Sequence, residues 1–289
     1  MPDVDLRPLS LGEMLDRTFS LYRRNFVLFL GITALPNLLI LALSLTQALM
    51  LKTAVANTSH VAGRVHASPS SGLMALGFVG IFVAVIVYVV AYLFAQGGTV
   101  YAVSEIYLGR TTSIRESLGR MRGQLGNLFG VSLLSGLAAL AGFILLIIPG
   151  IYIVCRLITA VPAALLEDLG PRASLERSFK LTEDNAGKAF VIYLLYFVLV
   201  YVATFLLVMP FSIATALSSK DPAMVRVWFA LSQVGSFVGT VLVGPVLTIA
   251  AAVFYYDLRV RKEGFDLQVM MNPSGSLSPG IARVPTVLS

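Results

Sequence analysis

The chain has 289 residues, of which 57% are hydrophobic and only 12% are charged. Soluble domains usually contain about 25% charged residues, so this composition excludes an ordinary water-soluble domain and indicates an integral membrane protein. The formal net charge is +6, and the basic residues lie beside long apolar runs. A membrane surface explains this pattern better than nucleic acid does, and we expect no nucleic-acid partner.

Long apolar runs without charged residues recur along the chain. A helix needs about 20 residues to cross a hydrocarbon core of about 30 Å, where backbone polar groups must be satisfied internally. The third run continues past Pro149-Gly150, a strong turn signal, and is too long for one helix. We therefore divide it at that turn. The resulting prediction is six transmembrane helices, at about 26–50, 73–104, 128–148, 151–166, 189–217 and 227–256.

A charged segment with the pattern of an amphipathic helix precedes each pair of apolar runs. Ser10 and Glu13 match the S-x-x-E signature of a helix start, and Pro171 suits a first helical position. Superposition of the three segments places Ser10 on Gly109 and Gly170. We predict interfacial amphipathic helices at about 10–23, 110–125 and 171–184. The carboxylates that end the even-numbered spans are expected to pair with the basic helix that follows.

These elements predict an all-α integral membrane fold with three repeats, each an interfacial amphipathic helix followed by two spans. A single membrane domain is expected at 9–265, between an N-terminal tail at 1–8 and a disordered C-terminal tail at 266–289. Sixteen Lys and Arg residues flank the spans on one side and four on the other. The positive-inside rule then places both termini in the cytoplasm, in a multi-pass protein of the inner (cytoplasmic) cell membrane.

Four phrases of the chain carry a resemblance to a known family. They are Leu9 to Leu15 with Phe19, Ile148 to Tyr152 with Arg156, Pro162 to Gly170, and Tyr255 to Arg259. In these residues the chain resembles the bacterial glycerophosphoryl diester phosphodiesterase membrane domain and its domain-of-unknown-function relatives, over about 9–265. The resemblance implies a six-span membrane domain that is sometimes fused to a soluble phosphodiesterase. It carries no catalytic signature, so it implies no activity for this chain.

Residues that could support catalysis are scarce in the sequence. The two histidines, His60 and His66, both lie in the loop between the first two spans, and no phosphate-binding loop motif occurs. We therefore expect no enzymatic activity, no metal site and no cofactor. Arg156 is the one ionisable residue well inside a predicted span, where burying a charge is costly. It could hold a lipid phosphate or an anionic substrate, or it could clamp the fold internally.

Two functional hypotheses follow from these observations. The first is a non-enzymatic membrane module that binds anionic lipid headgroups or scaffolds a membrane partner, with a second copy of the chain as another candidate partner. The alternative is a small transporter or channel that uses Arg156 to bind an anionic or amphiphilic substrate. The basic residues predicted to bind lipid or anions are Arg156, Arg17, Arg23, Arg24, Arg115, Arg120, Arg122, Arg172, Arg177 and Lys180.

Overall fold

The computed structural model describes residues 8–60, 71–121, 123–218 and 221–264, without the side chains of 47–60, 71–81 and 222. Within these ranges the secondary structure is helical and contains no strand. Residues 1–7 of the predicted N-terminal tail at 1–8, and the whole predicted C-terminal tail at 266–289, lie outside the described residues. The helices are α1 (Leu11–Arg24), α2 (Phe26–His60), α3 (Ser71–Tyr107), α4 (Ile114–Gly119), α5 (Leu125–Leu145), α6 (Ile147–Arg156), α7 (Ala160–Leu166), α8 (Pro171–Leu181), α9 (Ala186–Leu207), α10 (Met209–Leu217) and α11 (Pro222–Glu263).

Six helical stretches in the described ranges are long and apolar enough to cross a membrane, which confirms the predicted all-α membrane class. Their outward side chains are largely aliphatic and aromatic, as expected for surfaces that face lipid. The protein is therefore a multi-pass membrane protein. The six stretches are Phe26–Thr46, Phe82–Tyr107, Leu125–Leu145, Ile147–Leu166, Ala186–Leu207 and Ala223–Glu263.

The break between the third and fourth stretches lies at Leu146, so the prediction of a turn at Pro149-Gly150 is wrong. Leu146 has an extended backbone, with φ −169° and ψ 160°, and α6 begins at the next residue. Pro149 is the third residue of α6, where a missing N–H costs nothing because first-turn amides have no acceptor within the helix. Gly150 closes that turn by donating its N–H to the Leu146 carbonyl at 3.1 Å.

Two of the predicted spans are interrupted just before a proline. The span predicted at 189–217 is divided at Val208 into α9 and α10, and Pro210 occupies the first turn of α10. The span predicted at 151–166 is divided between α6 and α7, at residues 157–159. In both cases a proline lies just inside the second helix, where its fixed φ is tolerated. The remaining long helices continue through their prolines, Pro36 and Pro245.

The predicted start of α1 is confirmed, whereas the second interfacial helix begins later than predicted. The Ser10 side chain accepts the N–H of Glu13, and the Glu13 carboxylate accepts the N–H of Ser10. Instead of 110–125, α4 covers only Ile114–Gly119 and is capped by Ser113. The superposition of Ser10 on Gly109 is therefore off by four residues. Pro171 occupies the first position of α8, as predicted.

The chain forms two compact units. Among the described residues, the first contains 8–32, 93–121, 123–197 and 244–264, and the second contains 33–60, 71–92, 198–218 and 221–243. The core of the first unit is built on fully buried Met14, Phe29, Phe254 and Tyr255. In the second unit, α11 approaches α9 closely at Gly235, where an added Cβ would overlap the backbone oxygen of Leu207. The candidate site lies in the first unit.

Candidate functional site

A buried carboxylate near the end of α3 pairs with the arginine that ends α4. The Glu105 side chain is 10% exposed and lies 2.6 Å from Arg120 and 3.5 Å from Arg110. Arg120 also lies 3.8 Å from Glu116 of its own helix. The pairing predicted from sequence is confirmed here. Arg120 is thereby largely neutralised, since two carboxylates flank it.

A second carboxylate, Glu167 after α7, belongs to a group of two arginines and two glutamates. The Nε of Arg177 lies 2.8 Å from Glu167, and its Nη1 lies 2.5 Å from Glu263. Arg259 bonds Glu263 at 3.1 Å, and the Tyr255 hydroxyl donates to Glu167 at 2.7 Å. Burial would lower the pKa of Arg177, but the hydrogen bonds and charges of both glutamates raise it above its ordinary value. The group sums to zero charge and is mostly buried.

The third carboxylate, Asp257 in α11, holds the start of the N-terminal segment. Its side chain is fully buried, and Oδ1 accepts the Leu9 backbone N–H at 2.7 Å. Oδ2 accepts from Arg261 at 2.9 Å and lies 3.7 Å from the Lys188 ammonium. Arg261 in turn donates to the Leu9 carbonyl. Both backbone groups of Leu9 are thus tied to one helix, which fixes where α1 begins.

Arg156 at the end of α6 is held by α8 and by one tyrosine. Its guanidinium donates to Thr182 Oγ1 at 3.0 Å, to the Phe179 carbonyl at 2.5 Å and to the Tyr152 hydroxyl at 2.7 Å. The Arg156 carbonyl accepts the Ser178 hydroxyl at 2.7 Å. Of the two roles considered for Arg156, these contacts match the internal clamp. They supply hydrogen-bond partners to the Arg156 and Phe179 backbone carbonyls at the break between α6 and α7.

The other basic residues that were predicted to bind lipid or anions differ in exposure and in their contacts. Arg17 is half-buried, with its guanidinium carbon 4.9 Å above the Tyr107 ring. Lys180 is exposed, and its backbone carbonyl accepts from Lys262 at 3.0 Å. Arg122 lies outside the described residues. Four arginines are exposed and form no ion pair within the described part of the chain: Arg23, Arg24, Arg115 and Arg172.

One of these exposed arginines, Arg23, lines an open groove where α1 meets α2. Phe19 and Phe26 present rings that are 38% and 39% exposed. Tyr22 packs edge-on against Phe26, with ring centroids 5.4 Å apart, and burial raises the pKa of its hydroxyl. The groove therefore combines apolar rings, a hydroxyl donor, one carboxylate and one cationic group at the first residues of a membrane span. Its lining residues are Asp16, Phe19, Ser20, Tyr22, Arg23 and Phe26.

Comparison with protein-family models, with curated proteins and with solved structures finds no match to this chain. Within the described ranges, no three His, Cys, Asp or Glu side chains are grouped so that they could hold a metal ion.

The hydroxyl groups that fix the α6–α7 break were not predicted from the sequence. Thr159 and Ser178 share a hydrogen bond of 2.8 Å, and both are fully buried. Thr182 is equally buried. Its hydroxyl accepts from the Arg156 guanidinium and donates to the Arg156 carbonyl. These residues lie about twenty positions apart along the chain, so no local pattern could have related them. A missed signal was available at α4, where Ser113 and Glu116 repeat the S-x-x-E signature.

Proposed function

We propose that this chain is a non-enzymatic multi-pass membrane module that binds anionic lipid headgroups through the exposed arginines of α1, α4 and α8. The observation that carries the proposal is the division of the arginines by partner. Arg120, Arg177 and Arg261 contact buried carboxylates, whereas the four exposed arginines form no ion pair in the described chain. The buried pairs stabilise the fold, and the exposed groups are left to interact outside the protein.

The surroundings of Arg23 and Arg24 support this reading. They end α1, and the membrane span begins two residues later at Phe26. A basic amphipathic helix beside a span places its apolar side chains at the headgroup boundary and its cations against lipid phosphates. The exposed rings of Phe19 and Phe26 suit that depth. The excess of basic residues beside these helices supports a cytoplasmic location for them and for both termini.

The proposal can be tested by lipid-dependent stability. Each Arg near an anionic surface contributes about 1 kcal/mol, so four exposed arginines give about 4 kcal/mol, or roughly a thousandfold in lipid affinity. The midpoint of thermal unfolding should rise when phosphatidylglycerol is added to the purified protein and should respond little to phosphatidylcholine. A variant with Arg23→Gln, Arg24→Gln, Arg115→Gln and Arg172→Gln should lose the difference between the two lipids.

A control variant removes a basic charge from a helix that carries none of the four substituted arginines. Arg226 lies in the first turns of α11, and Arg226→Gln should leave the response to phosphatidylglycerol unchanged. High salt should weaken the response of the wild type because surface charges are screened. If the fourfold variant and the wild type gained the same stability from phosphatidylglycerol, lipid binding by these arginines would be refuted.

A further inference from the structure

The connection between α5 and α6 has an unusual composition for a loop that faces water. Five consecutive aliphatic residues, 144–148, form its tip, and their side chains are between 69% and 82% exposed. No polar side chain occurs anywhere in 136–151. By contrast, the connection between α10 and α11 contains Ser218 and Asp221, and Arg226 follows in the first turns of α11. A tip of exposed aliphatic groups is stable in hydrocarbon and unstable in water.

The base of this hairpin is fixed to α8. The Arg156 carbonyl, at the end of α6, accepts from Ser178 at 2.7 Å. On the other arm, an added Cβ at Gly130 would lie 2.8 Å from Pro171, the first residue of α8. The opposite face of α8 exposes Arg172, Glu176 and Lys180. Because these charges need water, α8 marks the depth of one membrane surface.

The two arms are short when measured from α8. From Arg156 to the tip, α6 has 10 residues, which rise roughly 15 Å at 1.5 Å per residue. From Gly130 to the last residue of α5, the rise is roughly 22 Å. The hydrocarbon core is about 30 Å thick. Both arms therefore end before they reach the far side.

We propose that the α5–α6 hairpin is re-entrant, so that its tip ends among the acyl chains and the chain returns to the side from which it entered. The exposed flank of α5 supports this, since Leu133, Leu137 and Leu140 continue the apolar surface from the tip toward the base. Helices α2, α3 and α11, with 35, 37 and 42 residues, have ample length to cross.

The positive-inside bias is compatible with this arrangement. A re-entrant hairpin and a pair of complete spans both return the chain to the same side, so the basic residues before α5 and after α7 stay together. A re-entrant hairpin requires only that the charged face of α8 contacts water, whether or not the exposed arginines bind lipid headgroups.

Site-directed spin labelling of the full chain in phosphatidylglycerol–phosphatidylcholine bilayers tests the depth of the tip. The single cysteine, Cys155, is buried and is replaced in a Cys155→Ala background. One nitroxide is then attached through Ile148→Cys, at a residue that is 82% exposed. Two exposed positions serve as controls for nitroxide depth. They are Ala173→Cys in α8, in the first unit, and Ala223→Cys at the start of α11, in the second unit.

The collision rates of the nitroxide with oxygen and with a water-soluble nickel complex decide the question. We expect nickel access at Ile148→Cys to be several-fold lower than at either control and oxygen access to be higher, as in the middle of a bilayer. Nickel access equal to that at Ala223→Cys would place the tip in water and overturn the proposal. Low access to both reagents would also overturn it, because the tip would then be covered by protein. A second label through Leu146→Cys must give the same result.

Discussion

Replacement of Asp257 by alanine should release the N-terminal helix from the rest of the first unit. The carboxylate is fully buried and accepts the Leu9 N–H at 2.7 Å and Arg261 at 2.9 Å. A buried hydrogen bond to a charged group contributes about 1.5–3 kcal/mol. Because the side chain has no solvent exposure, this value needs no reduction for screening by water.

The loss should be visible as local opening of α1. Every 1.4 kcal/mol corresponds to a factor of ten, so α1 amides should exchange hydrogen roughly ten- to a hundredfold faster in Asp257→Ala. Hydrogen exchange read by mass spectrometry over peptides from α1 measures this directly. Exchange in α5, which does not contact Asp257 through any hydrogen bond or ion pair in the described chain, should change far less.

The control is the exposed carboxylate of α1 itself. Asp16 forms no ion pair within the described residues, so Asp16→Ala should leave the exchange of α1 close to that of the wild type. Unchanged α1 exchange in Asp257→Ala would refute the idea that this carboxylate anchors the helix. Equal acceleration in both variants would show that the effect comes from helix charge rather than from the buried contact.

Three further substitutions test the packing, the buried ion pairs and the helix caps. Gly235→Ala should destabilise by about 1–3 kcal/mol, because its Cβ would overlap a backbone oxygen of α9 that cannot easily move. Arg177→Gln should lower the free energy of unfolding by about 3 kcal/mol. This is the lower end of the range for breaking a buried ion pair, because the Arg177 side chain is 20% exposed. Ser113→Ala should cost about 1 kcal/mol through loss of the α4 cap. The free energy of unfolding in detergent measures all three.

Each of these predictions has its own contradicting result. Gly239 is the matched control for Gly235, since an added Cβ there would meet only side chains at 3.6–3.7 Å. If Gly239→Ala were as harmful as Gly235→Ala, close backbone approach would not be the reason. A stable Arg177→Gln would mean that the paired glutamates are satisfied without it. No effect of Ser113→Ala would mean that α4 gains nothing from its cap.

Patterns carried by neighbouring residues predicted much of the fold. The apolar runs predicted the six stretches that are long and apolar enough to cross a membrane, and the S-x-x-E signature located the start of α1 at Ser10. The same signature at Ser113 would have placed α4 four residues later than the superposition did. Gly109, on which Ser10 falls in the superposition, has φ 77° and ends the preceding helical region instead of starting a new helix.

Features that depend on tertiary contacts could not be read from the sequence. The hairpin turn lies at Leu146 because Gly142 and Gly150 pack together, with an added Cβ at Gly142 only 2.9 Å from the Gly150 Cα. Nothing local distinguishes that arrangement from a turn at Pro149. The clamp on Arg156 likewise joins residues 23 and 26 positions apart. Charge identified Arg156 as unusual, but only the fold shows which groups take up its hydrogen bonds.

Lipid retained by the purified protein is the most direct test of the proposed function. Native mass spectrometry should detect phosphatidylglycerol on the wild type and on Arg226→Gln, whose substitution lies at the start of α11. The Arg23→Gln, Arg24→Gln double variant should retain much less, because it removes two exposed cations at the end of α1, one of which lines the groove. Equal phosphatidylglycerol retention by the double variant and the wild type would contradict headgroup binding at the α1–α2 junction.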